Sequence, residues 1–142
     1  MHRFVVTLVL LTLACGGESL NSAFGKTWVG TTTATIPGLI PFTSNSQFTV
    51  SVHGDTATAT DVCPPNGGGS IDAKGSGNSA SWAGSMACPP IPQTGLNCSL
   101  TLTFTAASMT LSADNKTLNA SASGTVTGCN LNTTFTLVFQ GT

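Results

Sequence analysis

The sequence predicts an all-β protein, a single antiparallel domain of about eight strands whose simplest closure is an up-and-down barrel. Three observations carry this expectation. From Lys26 onward apolar residues alternate with period two, and no helical 3.6-residue pattern of useful length appears. Turn residues break that alternation at spacings of about eight to twelve positions. The partners of the apolar residues are mostly Thr and Ser, since only 6% of the chain is charged against roughly 25% in an ordinary soluble domain.

In chain order, the alternation and its interruptions place strands at about 27–36, 46–53, 56–63, 69–75, 79–88, 98–112, 116–128 and 133–141. The clearest are Phe48, Val50 and Val52, then Leu100, Leu102 and Phe104, then Phe135, Leu137 and Phe139, each separated by Thr, Ser or another outward residue. Thr suits such a face because its branched β-carbon packs on a pleated surface while its hydroxyl keeps that surface wet without charge. Between the strands lie Pro37-Gly38, His53-Gly54-Asp55, Pro64-Pro65-Asn66-Gly67, Gly75-Ser76-Gly77-Asn78, the stretch from Pro89 to Gly95, and Asp114-Asn115. Brief connections make neighbours antiparallel, and a barrel removes the free edges that Thr-rich strands would offer to aggregation.

A two-sheet sandwich is the alternative. Cys63, Trp82 and Cys129 follow the Cys…Trp…Cys order of immunoglobulin-like sandwiches, but the chain has no Tyr and so no tyrosine corner. Trp28-Val29-Gly30 at the start of the first strand resembles the position where lipocalin-like barrels often carry a tryptophan. In an eight-strand barrel the interior either fills with side chains or keeps a small pocket. Trp28, Phe48, Trp82 and Met86 are the large residues expected to line it, and Gly84 and Gly124 either leave room for a ligand or mark corners.

Size and charge narrow the possibilities further. At 142 residues and 14.3 kDa the chain is one domain. Four Lys+Arg against five Asp+Glu provide no basic stripe to follow a phosphate backbone, so nucleic acid is not an expected partner. With 40% hydrophobic residues the composition is not that of a disordered chain.

Ahead of the strands, Met1-His2-Arg3 gives a positive start and Phe4 to Leu13 an apolar run of ten residues. As a helix it would rise roughly 15 Å, half a hydrocarbon core, so it reads as an export signal rather than a retained span. Ala14-Cys15-Gly16-Gly17 after that run resembles the lipobox of bacterial lipoproteins, with Thr12 where that family favours Leu. The resemblance implies a signal peptide at 1–14 and an acylated Cys15 as the mature N-terminus. Residues 15–26 (from Cys15 through GGESLNSAFGK) then serve as a flexible tether and 27–142 as the domain. It also implies a bacterial envelope location, at the outer membrane or cell surface in preference to the inner membrane. The partners expected there are the membrane itself and an envelope protein, a glycan or a small apolar ligand.

Setting Cys15 aside leaves Cys63, Cys88, Cys98 and Cys129, which in an exported chain predict two disulfides. Alternating strand directions put all four at one end of the domain. The echo of Cys63-Pro64-Pro65 in Cys88-Pro89-Pro90 suggests two strands leaving the sheet alike. A hairpin at Asp114-Asn115 sets Leu111 opposite Leu118 and Met109 opposite Ala120. The inward set changes parity between Phe104 and Met109, which requires a bulge near Ala106-Ala107-Ser108 and brings Cys98 within one residue of register with Cys129. The expected bridges are Cys63–Cys88 and Cys98–Cys129, with Cys88–Cys98 and Cys63–Cys129 as the rival pairing.

Reactive groups are few. His53 and Asp55 share a hairpin turn, Asp61 and Asp72 stand eleven residues apart without a shared pattern, and no C-x-x-C metal spacing occurs. The glycine runs Gly67-Gly68-Gly69 and Gly75-Ser76-Gly77 lack the Gly-Lys-Ser/Thr ending of a phosphate loop. No catalytic residue, metal or cofactor is therefore expected. The expected role is structural or interactive, with a carrier of a small apolar ligand as the alternative and an envelope hydrolase as a distant one.

Overall fold

The structure is a computed structural model that describes residues 17–64, 67–90, 95 and 97–142. The export signal and Cys15 lie outside the described residues. Among the described residues, nine strands follow a short 3-10 turn at Ser22–Phe24: β1 Thr27–Thr35, β2 Phe42–His53, β3 Thr56–Thr60, β4 Ser70–Ser76, β5 Ser79–Ser81, β6 Gly84–Cys88, β7 Leu100–Leu111, β8 Leu118–Gly128 and β9 Leu131–Gly141. Every neighbouring pair is antiparallel, in the order β5-β4-β3-β2-β1-β9-β8-β7-β6, and a further β5–β7 pairing closes the sheet on itself. β5 and β6 lie end to end along β7 and form one stave interrupted at Trp82-Ala83. The result is an eight-stave up-and-down barrel of the lipocalin-like kind, and not a two-sheet sandwich.

Alternation drives the closure. In β1 and β2 the even positions face inward, so Trp28 and Val50 are buried while Thr27, Thr31, Thr43 and Thr49 are exposed. The outward hydroxyls meet across the strands: Thr27 with Thr49 at 3.0 Å, Thr33 with Thr43 at 3.1 Å and Ser85 with Thr103 at 2.9 Å. Such pairs knit the wall without charge.

The parity change in β7 occurs as the sequence requires, one step earlier than Ala106. Phe104 pairs with Gly124 and Ala106 with Ser123, so Thr105 is the extra residue. Beyond it Met109 faces Ala120 and Leu111 faces Leu118. Gly124 sits opposite this bulge, where a Cβ would run into the carbonyl of Thr103; it marks a close approach of two strands, not space for a ligand.

Both bridges fall at one end, the rim. Cys63–Cys88 and Cys98–Cys129 each join Cα atoms 5.6 Å apart, so the rival pairing does not form. Between β8 and β9 the chain reverses through Cys129-Asn130, both with positive φ (52° and 60°), the two-residue geometry whose twist matches a hairpin.

The opposite end, the floor, departs from the expected tether. From Ser19 the chain is folded into the barrel. Leu20 N–H donates to Gly54 O (2.9 Å), Asn21 N–H to Gly77 O (2.8 Å), and Gly77 N–H to Ser19 O (3.1 Å). Asn21 caps the 3-10 turn by accepting from Ala23 N–H, and its Nδ2 donates to Asn78 Oδ1 (2.7 Å) and Asn115 Oδ1 (2.9 Å). Leu20 and Phe24 are buried beneath Val50, Leu118 and Trp28. Two well-spaced apolar side chains in a polar stretch suffice to plug the barrel, because its lower end supplies the apolar surface they need.

Candidate functional site

Large side chains pack the two ends of the barrel, and the space between them is incompletely filled. The lower core gathers Phe24, Trp28, Val50, Met109, Leu118 and Phe139; the upper core gathers Cys88, Leu100, Leu102, Phe104, Val126 and Phe135. Val62, Ile71 and Trp82 pack against both. At this junction lies a cavity of about 70 Å³, lined by Phe48 of β2, Ala59 of β3, Ile71 of β4, Met86 of β6, Phe104 and Met109 of β7, Ala120 and Ala122 of β8 and Phe139 of β9, with Trp82 and Val62. Its origin is steric: Ala59, Ala120 and Ala122 put only methyl groups into this part of the interior, and on β8 the two alanines lie between the larger Leu118 and Val126. A second void of about 40 Å³ lies nearer the rim, among Ile36, Phe42, Leu100, Phe135 and Leu137.

The lining is aromatic and sulfur-rich. Phe48 meets Phe139 edge-on at 4.7 Å between ring centres, Trp82 meets Phe104 at 5.8 Å, and Phe104 meets Phe135 at 5.7 Å. Among the described residues no ionisable side chain borders the cavity. Among the described residues, three side-chain polar atoms are buried without a hydrogen-bond partner: Trp82 Nε1 and the hydroxyls of Ser44 and Ser46. Each such group costs about 1–3 kcal/mol of lost hydration.

Of the four residues expected to line a pocket, the structure brings Phe48, Trp82 and Met86 together and leaves Trp28 out. Trp28 is completely buried below the cavity, where its Nε1 donates to Phe24 O at 2.9 Å. Lys26 caps that arrangement, its Nζ 3.9 Å from the centre of the Trp28 ring. Sequence reasoning missed Ile71, Met109 and Phe139, although alternation in their strands marked them as inward.

The cavity has a weak wall. β4 pairs with β5 only through Lys74–Ser76, and β6 pairs only with β7, so no ladder joins Ser70–Ala73 to β6. Gly84, in line with inward-facing Met86, is nonetheless exposed, has φ +105° and meets no atom where a Cβ would stand. The upper frame of this window is the Cys63–Cys88 bridge with the loop beneath it, where Cys63 N–H donates to Gly68 O and Asp61 N–H to Gly69 O.

The candidate reactive groups stay apart. His53 is exposed at the end of β2; the carboxylate of Asp55 accepts from Thr56, that of Asp61 from Gly68 N–H, and that of Asp72 from Thr58. Among the described residues no three His, Cys, Asp or Glu side chains gather as a metal centre would require. No helix among them is long and apolar enough to cross a membrane.

Fold and cavity together define a closed up-and-down β-barrel with an apolar interior. Comparison with protein-family models, with curated proteins and with solved structures gave no match for this chain.

Proposed function

We propose that the protein is a bacterial envelope lipoprotein, held to its membrane by an acylated Cys15, whose barrel binds a small apolar molecule and performs no chemistry on it. The observation that carries the binding role is the unfilled cavity at the barrel's mid-height, whose lining carries no charged side chain. The anchor rests on the lipobox resemblance at Ala14-Cys15-Gly16-Gly17. Two or three acyl chains hold nearly permanently, since each buried methylene contributes about 0.8 kcal/mol.

The docked floor supports a particular posture. Only Gly16, Gly17 and Glu18 separate Cys15 from Ser19, whose carbonyl already accepts from Gly77. At about 3.6 Å per residue that stretch spans at most about 14 Å. The lipid therefore keeps the floor beside the bilayer and turns the disulfide rim outward.

A structural or interaction role without cargo is the second reading, favoured by the cavity's modest size beside the ~300 Å³ and more of common ligand pockets. Two experiments decide. Cells fed a fatty-acid analogue label the wild type and not Cys15→Ser; equal labelling of both refutes the anchor. The oxidised mature protein takes up a neutral apolar probe such as hexan-1-ol saturably; failure to do so leaves the cargo-free role.

A further inference from the structure

We infer that the window between β4 and β6 is the route by which the cavity fills, with Trp82 as its gate, and that the site accepts uncharged molecules and rejects their anionic counterparts. The inference deepens the binding role above and rests on it.

The floor is closed by Leu20 and Phe24, so the lower end offers no path. Along the side wall, the upper part of β4 against β6 has no main-chain ladder; Phe42–Phe48 of β2 also lack one on the side facing β3, and Leu131–Phe135 of β9 on the side facing β1, but the β4–β6 gap is the one flanked by Ile71, Trp82 and Met86 of the cavity lining. A ladder must break several hydrogen bonds together to let a molecule pass; the window has none to break. Trp82, Ile71 and Met86 border both the window and the cavity behind it.

Trp82 is built to move. Its backbone N–H donates to Ala107 O at 3.1 Å, which fixes the chain to β7, while its indole N–H is buried with no acceptor. Outside, water would satisfy that N–H, so swinging the ring outward recovers a hydrogen bond that the closed position lacks. The neighbouring Ala83 and Gly84 are exposed and leave that path clear. Trp28 is the contrast: its indole N–H is satisfied by Phe24 O and its ring is held on all sides.

Charge selectivity follows from what borders the route. The lining carries no cation to pair with a carboxylate, and an unpaired buried charge is strongly disfavoured. Asp61 and Asp72 flank the window from the loop and from β4, with Lys74 below them, so its approaches are not basic. A small neutral molecule incurs no such penalty on entering; a fatty-acid anion does.

The test uses the oxidised mature protein and two probes of one skeleton, hexan-1-ol and hexanoate at pH 7.5, read by tryptophan emission and by melting temperature. Hexan-1-ol is expected to change the emission saturably and raise the melting temperature, the emission change vanishing in Trp82→Phe. Hexanoate should bind at least tenfold more weakly. Ala122→Leu, which fills the cavity, should lose the hexan-1-ol response yet still unfold cooperatively. Continuing the β4–β5 register sets Asp72 opposite Ala83. A cross-link in Asp72→Cys/Ala83→Cys should slow uptake at least tenfold and leave affinity within about twofold. Ala83→Trp, which shades the window without a new bond, should slow it in the same sense. Unchanged rates in both variants, with hexan-1-ol still bound, overturn the window while sparing the binding role. Equal affinity for hexanoate overturns the selectivity, and no hexan-1-ol uptake at all overturns the binding role and the window with it.

Discussion

The two ends of this barrel are closed by different physics. The rim is fastened covalently: Cys63–Cys88 ties the loop after β3 to the end of β6, and Cys98–Cys129 ties the segment before β7 to the β8–β9 turn. The floor is closed by a segment that approaches from outside the sheet and plugs it with Leu20 and Phe24, while Leu20 and Asn21 bond to all three hairpin turns at that end. A disulfide acts mainly by restricting the unfolded chain, whereas the plug acts by burying apolar surface in the folded one. The rim is therefore sensitive to redox conditions and the floor to side-chain truncation.

The largest expected effect is at the rim. The bridges span 25 and 31 residues in separate stretches of chain. In the chain-entropy treatment each contributes about 3.5 kcal/mol. Reducing both should thus lower the unfolding free energy by roughly 7 kcal/mol, comparable to the whole stability of many small domains. Urea unfolding with and without reductant measures it. A loss under half that size would mean that the rim, like the floor, is held mostly by packing.

At the floor, Phe24→Ala should cost about 3–5 kcal/mol, since the ring is fully buried. Asn21→Ala should cost about 1–2 kcal/mol through the lost cap and the two amide bonds. A free tether would show changes within about 0.5 kcal/mol in both. Equilibrium unfolding of the oxidised variants separates the two cases.

The difference between the ends also explains what could be read in the sequence. The rim was legible because cysteines are rare and strand alternation is local: once Asp114-Asn115 is a turn, the pairings of Leu111 with Leu118 and Met109 with Ala120 follow by counting. The bulge was legible through parity alone, which locates it only to within a few residues, and Thr105 was the one selected. The floor was not legible. Its hydrogen bonds join residues 57 and 94 positions apart, and Gly, Ser and Asn have the composition of a linker whether or not a barrel end is waiting for them. The cavity was half legible: inward alternation picked out Phe48 and Met86, but the space itself depends on small residues coinciding on two staves, Ala59 on β3 and Ala120 and Ala122 on β8. Trp28 shows the limit, because an inward tryptophan near a strand start is the same signal whether it lines a pocket or seals an end.

The smallest expected effect joins the floor to pH. Asp114 accepts from the Ser112 hydroxyl at 2.6 Å and from Lys116 N–H at 3.2 Å, and these bonds, the Ser112 one first, hold its carboxyl below the usual carboxylate range. The same turn presents Asn115, whose side chain accepts from Asn21 of the plug. A carboxylate whose pKa is lower in the folded than in the unfolded state stabilises the fold fully above the unfolded value, near 3.9, and progressively less as pH falls through the folded one. The group is exposed, so solvent keeps the effect small. Asp114→Asn should therefore melt slightly below the wild type at pH 7, and the gap should close as pH falls below about 4. Melting curves between pH 7 and pH 2 in constant salt measure it, and a gap that persists undiminished at pH 2 would show that the ionised carboxylate has no part in holding this turn against the plug.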